Sequence, residues 1–223
     1  KSALACDPIS AFGGIVSCNF KINKKLALEL SKLFLEVIIG INFDKDALKI
    51  LKRKKNLRLI DASNFTHSEI LKFTSTNDNI LVQSEDKKMF KRNDFKIVSK
   101  KKPSISLFND LIFAFNICRY VKSNAIVLAS NKSTLGIGCG QTSRLDSCQI
   151  AIDKMKKFTK PSKDIVAASD AFFPFTDGIE KLVQSGVKAV IQPAGSIKDK
   201  EVIKFANETG TILVFSKTRH FKH

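Results

Sequence analysis

Short apolar runs alternate with segments of helical spacing through the second half of the chain. The runs at 125–129, 165–168, 187–191 and 212–215 have the length and composition of buried strands. Apolar residues at helical spacing predict helices at 107–121, 141–157, 178–184 and 198–207. Strands that alternate with helices usually form parallel sheets covered by helices on both faces. The sequence therefore predicts the α/β fold class with a mainly parallel sheet.

The first half of the chain carries the same alternation over shorter segments. Helices are expected over 23–35 and 43–51, and strands over 37–40 and 57–60. The stretch 61–94 has clusters of Asn, Ser, Thr and Asp and no clear period. Loops or a connection between two lobes are expected there.

Three unusual segments follow the predicted strands and suggest where a ligand would bind. They are 169–175, 192–196 and 216–219. Ligands of open α/β sheets bind beyond the carboxyl ends of the strands, so these segments should converge on one rim. Lys122-Ser123-Asn124 enters a strand instead, and in a parallel sheet this places it at the opposite end.

Charge and cysteine content exclude several classes of protein. The formal net charge is +17, but only six of the 38 basic residues are Arg and no aromatic residues interleave with the basic runs. We therefore predict no nucleic-acid partner.

The five cysteines are odd in number and lack the two-residue spacing of a zinc or redox motif, so neither a disulfide framework nor a metal site is expected. No apolar run is long enough to cross a membrane, and a cytoplasmic protein is predicted.

Two segments have both a structural and a functional interpretation. The glycine-rich segment 135–144 predicts a turn into a helix, which either binds an anion or only connects two elements. Arg144 at its end would pair with a carboxylate or phosphate, or lie on the surface. The segment 169–177 places three Phe and a Pro between two Asp. It either packs into its own core or forms an aromatic wall for a planar heterocycle.

Taken together, these segments resemble the AICAR transformylase domain of the bifunctional purine biosynthesis proteins of the PurH family. The similarity lies in an ordered set of motifs that spans nearly the whole chain. They are Asp7-Pro-Ile-Ser-Ala-Phe-Gly-Gly14, 34–39, 55–59, Val121-Lys-Ser-Asn-Ala-Ile-Val127, Gly136-Ile-Gly-Cys-Gly-Gln-Thr-Ser-Arg144, Ser169-Asp-Ala-Phe-Phe-Pro-Phe175, Gln192-Pro-Ala-Gly-Ser196 and Arg219-His-Phe-Lys-His223.

The resemblance implies a cytidine-deaminase-like α/β fold in two similar lobes, without the deaminase zinc. The lobes would divide near residue 105, into 1–105 and 106–223. It implies transfer of a formyl group from 10-formyltetrahydrofolate to AICAR in purine synthesis, by a homodimer with shared active sites. The IMP cyclohydrolase domain of the family is absent from this sequence, as is the Lys-His segment that precedes an Asn-Pro-Cys-Gly motif in the family and transfers the proton. We therefore expect a C-terminal fragment that is inactive alone.

The resemblance also assigns site residues. Asn124 would orient the amine and the formyl group and is the catalytic candidate. The positions implied for AICAR are Asp7, Asn124, Phe172 and Arg219, and those for folate are Ala171, Pro174, Phe175, Asp177 and Ser196. Whether a monovalent cation such as potassium binds near Ser123 and Asp170 stays open.

Two other functions remain as alternatives. The missing Lys-His pair favours a non-catalytic nucleotide-binding or dimerisation module. The net charge alone favours a basic nucleic-acid binder, for which oligonucleotide binding should fall steeply with salt.

Overall fold

The computed structural model describes residues 1–66, 71–160 and 162–222. In the described chain the helices are α1 (Ser2–Ala5), α2 (Lys24–Leu30), α3 (Lys45–Leu51), α4 (Ile105–Cys118), α5 (Arg144–Phe158), α6 (Asp177–Gln184) and α7 (Asp199–Glu208). The strands are β1 (Gly14–Cys18), β2 (Leu35–Gly40), β3 (Arg58–Asp61), β4 (Leu71–Thr76), β5 (Asn79–Ser84), β6 (Phe95–Ile97), β7 (Ile126–Ser130), β8 (Ser133–Gly138), β9 (Ile165–Ser169), β10 (Val187–Pro193) and β11 (Ile212–Ser216). The α/β class is confirmed.

The chain forms two compact units, of which the smaller is Ile9–Glu85. Its sheet has the order β1-β2-β3, and both junctions are parallel, as predicted. Helices α2 and α3 pack on this sheet around a core that includes Ile22, Ile38 and Leu51. Helix α2 begins where the Asn23 side chain accepts a hydrogen bond from the Leu26 amide at 3.0 Å, which satisfies an otherwise unpaired donor of the first turn.

A β-hairpin lies within the stretch that was predicted to be loops. Strands β4 and β5 pair in antiparallel register, from Leu71 opposite Ser84 to Thr76 opposite Asn79. Every residue of both strands is exposed. The expectation of an unpatterned connection was wrong here. Leu71 and Phe73 alternate with polar residues and 80–82 is a short apolar run, but these brief signals lie among clusters of Asn, Ser, Thr and Asp that are typical of loops.

The larger unit comprises Lys1–Pro8 and Asp86–His223 and contains a six-stranded sheet of order β6-β11-β10-β9-β7-β8. Strands β9, β10 and β11 are mutually parallel. The other three junctions, β6 to β11, β7 to β9 and β7 to β8, are antiparallel. The sheet is therefore mixed, and the prediction that it is mainly parallel is corrected.

The origin of this difference is β8, which occupies the segment that was predicted to be a glycine-rich turn. Strand β7 turns back into β8 through Asn131 and Lys132, which have positive φ values of 50° and 51°. Their amides donate to the buried carboxylate of Asp110 at 2.8 Å each. The crossover through α5 then connects β8, and not β7, to β9. Strand β7 is inserted between them and runs in the opposite direction.

Glycines in β8 allow α5 to approach the strand closely. A Cβ atom at Gly136 would lie 2.0 Å from the carbonyl oxygen of Ala151, and one at Gly138 would lie 1.9 Å from that of Ser147. Both distances are far below van der Waals contact, so the two positions exclude any side chain. Close helix packing, and not anion binding, explains these two glycines.

A Gly138→Ala variant should therefore lower the free energy of unfolding by about 1–3 kcal/mol or more, because α5 must move away from the sheet. Urea denaturation of this chain followed by circular dichroism measures the change. Gly14→Ala is the matched control, since its Cβ would meet only Leu35 at an ordinary 3.7 Å. Equal effects at the two glycines would contradict the packing argument.

Helices cover both faces of the larger sheet. Helix α4 packs on one face around Leu111, Phe115 and Val127, and this cluster also holds Phe90. Helices α5, α6 and α7 cover the other face, where Cys148, Ile179 and Val202 are buried. Helix α5 begins at Arg144, three residues later than predicted.

Candidate functional site

The start of β7 lies beside the end of β9 because the two strands are antiparallel. Ile126 pairs with Ser169, and the amide of Asp170 donates to the carbonyl oxygen of Ala125 at 3.2 Å. Asn124 therefore lies at the same rim as the segment that follows β9. Its predicted position at the opposite end of the sheet was wrong, because that prediction assumed parallel strands.

Several hydrogen bonds fix the orientation of Asn124. Its side-chain Nδ2 donates to the carbonyl oxygens of Gln141 and Thr142 at 2.9 and 3.0 Å. Its backbone amide donates to Gln141 at 3.1 Å, and the Ser147 hydroxyl donates to the Asn124 carbonyl at 2.8 Å. With both Nδ2 hydrogens engaged, the carboxamide presents its Oδ1 as an acceptor. The side chain is half-buried.

A buried ion pair joins the start of α5 to the end of β9. Arg144 donates from Nη2 to Asp170 Oδ1 at 2.9 Å and from Nε to the Ser169 hydroxyl at 3.0 Å. The side chain of Asp170 is 0% exposed and that of Arg144 is 12% exposed. Burial lowers the pKa of Arg144, and the Asp170 carboxylate opposes that shift. Of the alternatives for Arg144, pairing with a carboxylate of its own chain is confirmed.

The three phenylalanines after β9 have different environments. Phe173 is buried in the core beside Gly178, so for this residue the packing interpretation holds. Phe172 is half-buried, and Phe175 is 60% exposed. Two of the three aromatic rings are therefore available at the rim.

Arg219 reaches the same rim from the segment that follows β11. Its guanidinium carbon lies 5.4 Å from the ring centroid of Phe172 and 5.8 Å from that of Phe221, which is cation–π geometry. The structure thus brings Asn124, Phe172 and Arg219 to one rim of a single chain.

The residues implied for folate lie on two neighbouring loops at this rim. Ala171 is buried, whereas Pro174 and Phe175 are exposed between β9 and α6, and Asp177 is exposed at the first residue of α6. Ser196 lies between β10 and α7 and is half-buried. The loops are adjacent because β9 and β10 are paired.

The Ser196 loop is held in shape by the first residue of α7. The Asp199 carboxylate accepts hydrogen bonds from the amides of Gly195 and Ser196 at 2.8 and 3.3 Å. A cavity of about 560 Å³ opens beside this loop, and its lining includes Ala194, Asp199 and Ser216. The lining also includes Phe95 and Lys96 of the edge strand β6, and Ser196 itself is not part of it.

Asp7 is not brought to this rim within the chain. Its carboxylate pairs with Lys154 at 3.1 Å. Lys154 lies ten residues after Arg144 on α5, which is about 15 Å along the helix axis. The assignment of Asp7 to AICAR stays a prediction that requires a second copy of the chain.

The cysteines differ in exposure: Cys6, Cys118 and Cys148 are buried, Cys18 is half-buried and Cys139 is exposed. All five are free thiols. Burial raises the pKa of Cys118 well above its ordinary value and that of Cys148 to about 12. In the described part of the chain, no group of three or more His, Cys, Asp or Glu could hold a metal ion. No described helix is long and apolar enough to span a membrane.

A buried histidine was missed by the sequence analysis. His220 is 2% exposed and its Nδ1 lies 2.6 Å from Asp86 Oδ2. Its position between Arg219 and an aromatic residue was the only sequence signal, and it did not predict burial.

Comparison with known proteins agrees with the resemblance drawn from the motifs. Residues 1–154 match the family model described as AICARFT/IMPCHase bienzyme. The chain is similar to the bifunctional purine biosynthesis proteins PurH of Persephonella marina and Aquifex aeolicus. It is 45% identical to the first over 225 residues and 46% identical to the second over 221 residues. The corresponding protein of Rhodospirillum rubrum is 44% identical over 232 residues.

These alignments cover 99–100% of the chain, but only 43–44% of each relative. The chain therefore spans less than half of the length of the curated relatives that it matches.

Proposed function

The chain belongs to the AICARFT/IMPCHase bienzyme family, and from this premise we propose that it forms part of an AICAR formyltransferase of purine synthesis. The parent enzyme would transfer the formyl group of 10-formyltetrahydrofolate to the 5-amino group of AICAR. It would act in the cytoplasm as a homodimer with shared sites. IMP cyclohydrolase activity would belong to a domain outside this sequence.

The observation that carries the proposal is the convergence of Asn124, Phe172 and Arg219 on one rim. AICAR offers a planar heterocycle, an amine and a phosphate. A half-buried ring can stack on the heterocycle, an amide oxygen can accept from the amine, and a guanidinium can hold polar groups of the nucleotide. Phe172 supplies the ring, Asn124 the amide oxygen and Arg219 the guanidinium.

The folate would lie on the two neighbouring loops, with Phe175 against the pterin and Asp177 and Ser196 at its polar edges. Ala171 and Pro174 would complete the wall. This arrangement would bring the formyl donor next to Asn124, because the loop after β9 carries Phe172 together with Ala171, Pro174 and Phe175.

The reaction needs removal of a proton from a weakly nucleophilic amine, stabilisation of the developing oxyanion, and close alignment of the two substrates. The residues of this chain would provide alignment and binding. The proton would be transferred by the Lys-His pair that precedes an Asn-Pro-Cys-Gly motif in the family, and this sequence contains no such motif. We propose the cytidine-deaminase-like fold and the two lobes, 1–105 and 106–223, on the same basis.

A monovalent cation such as potassium fits the surroundings of Asp170. Within the described chain, Asp170 Oδ2 is buried and has no hydrogen-bond partner, although an unpaired buried carboxylate oxygen is costly. Hard cations prefer oxygen ligands, and Ser123 lies on the neighbouring segment. When bound, the cation would coordinate Asp170 Oδ2, the carboxylate oxygen that Arg144 leaves without a partner.

The proposed function is tested with the full-length parent enzyme, by following AICAR-dependent release of tetrahydrofolate. Arg219→Ala and Phe172→Ala should each lower kcat/KM for AICAR by about 10–100-fold, the value of a charge-assisted hydrogen bond or a stacked ring. Because the side chains of Arg219 and Phe172 are in contact, the fold-decrease in kcat/KM of the double variant should be smaller than the product of the two single fold-decreases.

Lys217→Ala is the control, since it removes a neighbouring exposed charge. A wild-type parent that formylates no AICAR would overturn the proposal. Calorimetry then separates binding from chemistry. AICAR binding by this chain without turnover favours a missing proton relay, and nucleotide binding by an inactive parent favours the non-catalytic module.

A further inference from the structure

His220 is buried although it lies in an irregular segment. Its backbone amide donates to the carbonyl oxygen of Asp170 at 2.9 Å. Its ring lies 4.6 Å from the ring centroid of Phe115 and 5.0 Å from that of Phe90, in the core beside α4. A side chain with two ring nitrogens is costly to bury without polar partners. The contact with Asp86 is therefore the feature to explain.

The Asp86 carboxylate offers the imidazole a charge-assisted hydrogen bond. Its Oδ2 lies 2.6 Å from Nδ1, and because a carboxylate accepts, Nδ1 carries the hydrogen. The side chain of His220 is 0% exposed, whereas that of Asp86 is 41% exposed. Asp86, which lies at the protein surface, therefore fixes the orientation of the buried His220 ring. In the described chain, the other ring nitrogen has no hydrogen-bond partner.

Two further contacts fix the chain on the far side of His220. The Ser123 amide donates to the Lys222 carbonyl at 2.9 Å, and the Lys222 amide donates to the Ser123 hydroxyl at 3.2 Å. The segment is therefore attached both to Asp170 and to the residue before Asn124. These are the two places from which the proposed AICAR residues project.

Arg219 lies directly before this anchor, and its own side chain is exposed. A free arginine side chain loses rotamer entropy when it is ordered. The backbone is fixed at His220, and the Arg219 guanidinium already contacts the Phe172 ring. Both contacts reduce the conformational entropy that the Arg219 side chain must still lose when AICAR binds.

We propose that the Asp86–His220 pair is a positioning element that holds Arg219 over Phe172 in the geometry that binds AICAR. This inference rests on the proposed function. It assigns roles to two residues that do not contact the substrate. It also explains why a carboxylate 134 positions away in the sequence is paired with a buried histidine.

The test compares Asp86→Ala and His220→Ala in the full-length parent enzyme. Each should raise KM for AICAR about 10-fold, while kcat and KM for the folate change less than about 3-fold. Glu85→Gln is the matched control, because it removes the adjacent exposed carboxylate. It should leave all three constants unchanged.

The decisive measurement repeats both substitutions in an Arg219→Ala background. If the pair acts through Arg219, the added effect on KM should fall below about 2-fold, because the group being positioned is gone. A purely structural role predicts that the 10-fold effect persists, and that result would overturn the proposal. So would an unchanged KM in Asp86→Ala.

Hydrogen exchange separates this inference from the proposed function. Asp86→Ala should raise the exchange rate of the amides at 219–222, with α4 unchanged. A parent without any AICAR formylation contradicts the proposed function instead. Unchanged exchange at 219–222 contradicts the positioning role, whatever the activity.

Discussion

An Arg144→Met variant of this chain should have a free energy of unfolding about 3–5 kcal/mol below that of the wild type, because it leaves a buried carboxylate without its counter-charge. Asp170 is fully buried, and Arg144 supplies its ion pair at 2.9 Å. Methionine fills similar space and keeps the apolar packing, so the loss reports the charge and the hydrogen bonds. Urea denaturation followed by circular dichroism measures it.

Two further variants make this result specific. Lys198→Met breaks the exposed Lys198–Glu201 pair and should cost less than about 1 kcal/mol. Asp170→Asn keeps an acceptor for Arg144 and should cost less than Arg144→Met, which guards against a variant that fails to fold. If Arg144→Met cost no more than Lys198→Met, the buried ion pair would not be what joins α5 to β9.

The elements that follow from local pattern were well predicted. Continuous apolar runs identified β7, β9, β10 and β11, because strands buried on both faces need no alternation. The apolar spacing of α4 and α5 located both helices, with ends that differ by a few residues. Capping explains part of that difference, since Ser143 accepts from the Asp146 amide and so delays the start of α5.

The direction of β7 was not predictable in the same way. It depends on whether residues 133–138 form a strand, and the glycines there are typical of a turn. Their actual reason is contact with α5, at Ser147, 9 positions after Gly138, and at Ala151, 15 positions after Gly136. Tertiary packing decided the local structure, and sequence patterns alone carry no signal for it.

The same error misplaced Asn124. The motif that contains it was identified, but its position relative to Phe172 follows from strand direction. The buried pairs Arg144–Asp170 and Asp86–His220 are also products of the fold, because their partners are 26 and 134 positions apart. Arg144 and Asp170 were both named from their motifs but were not paired with each other, and neither Asp86 nor His220 was identified from the sequence.

An Asn124→Ala variant of the parent enzyme should lower kcat for AICAR formylation by about 10²–10³-fold, the loss typical of removing one preorganised polar group at a reacting centre. Its Nδ2 is engaged by two carbonyl oxygens, so Oδ1 is held toward the rim before substrate arrives. KM for AICAR should change less than about 3-fold, because Phe172 and Arg219 remain. Steady-state and single-turnover kinetics measure both constants.

The orientation of the Asn124 amide leads to a more specific prediction for the Asn124→Asp variant. Asn124→Asp keeps the acceptor and the size, but it sets a carboxylate against the carbonyl oxygens of Gln141 and Thr142. The aspartate side chain must then turn away from these carbonyl oxygens, so kcat of Asn124→Asp should be no higher than kcat of Asn124→Ala. Gln141→Ala is the control: it removes the side chain but keeps the carbonyl that holds Asn124, and kcat should stay within about 3-fold. An aspartate variant with wild-type kcat would show that Oδ1 needs no fixed direction, and Asn124 would then only help to shape the rim.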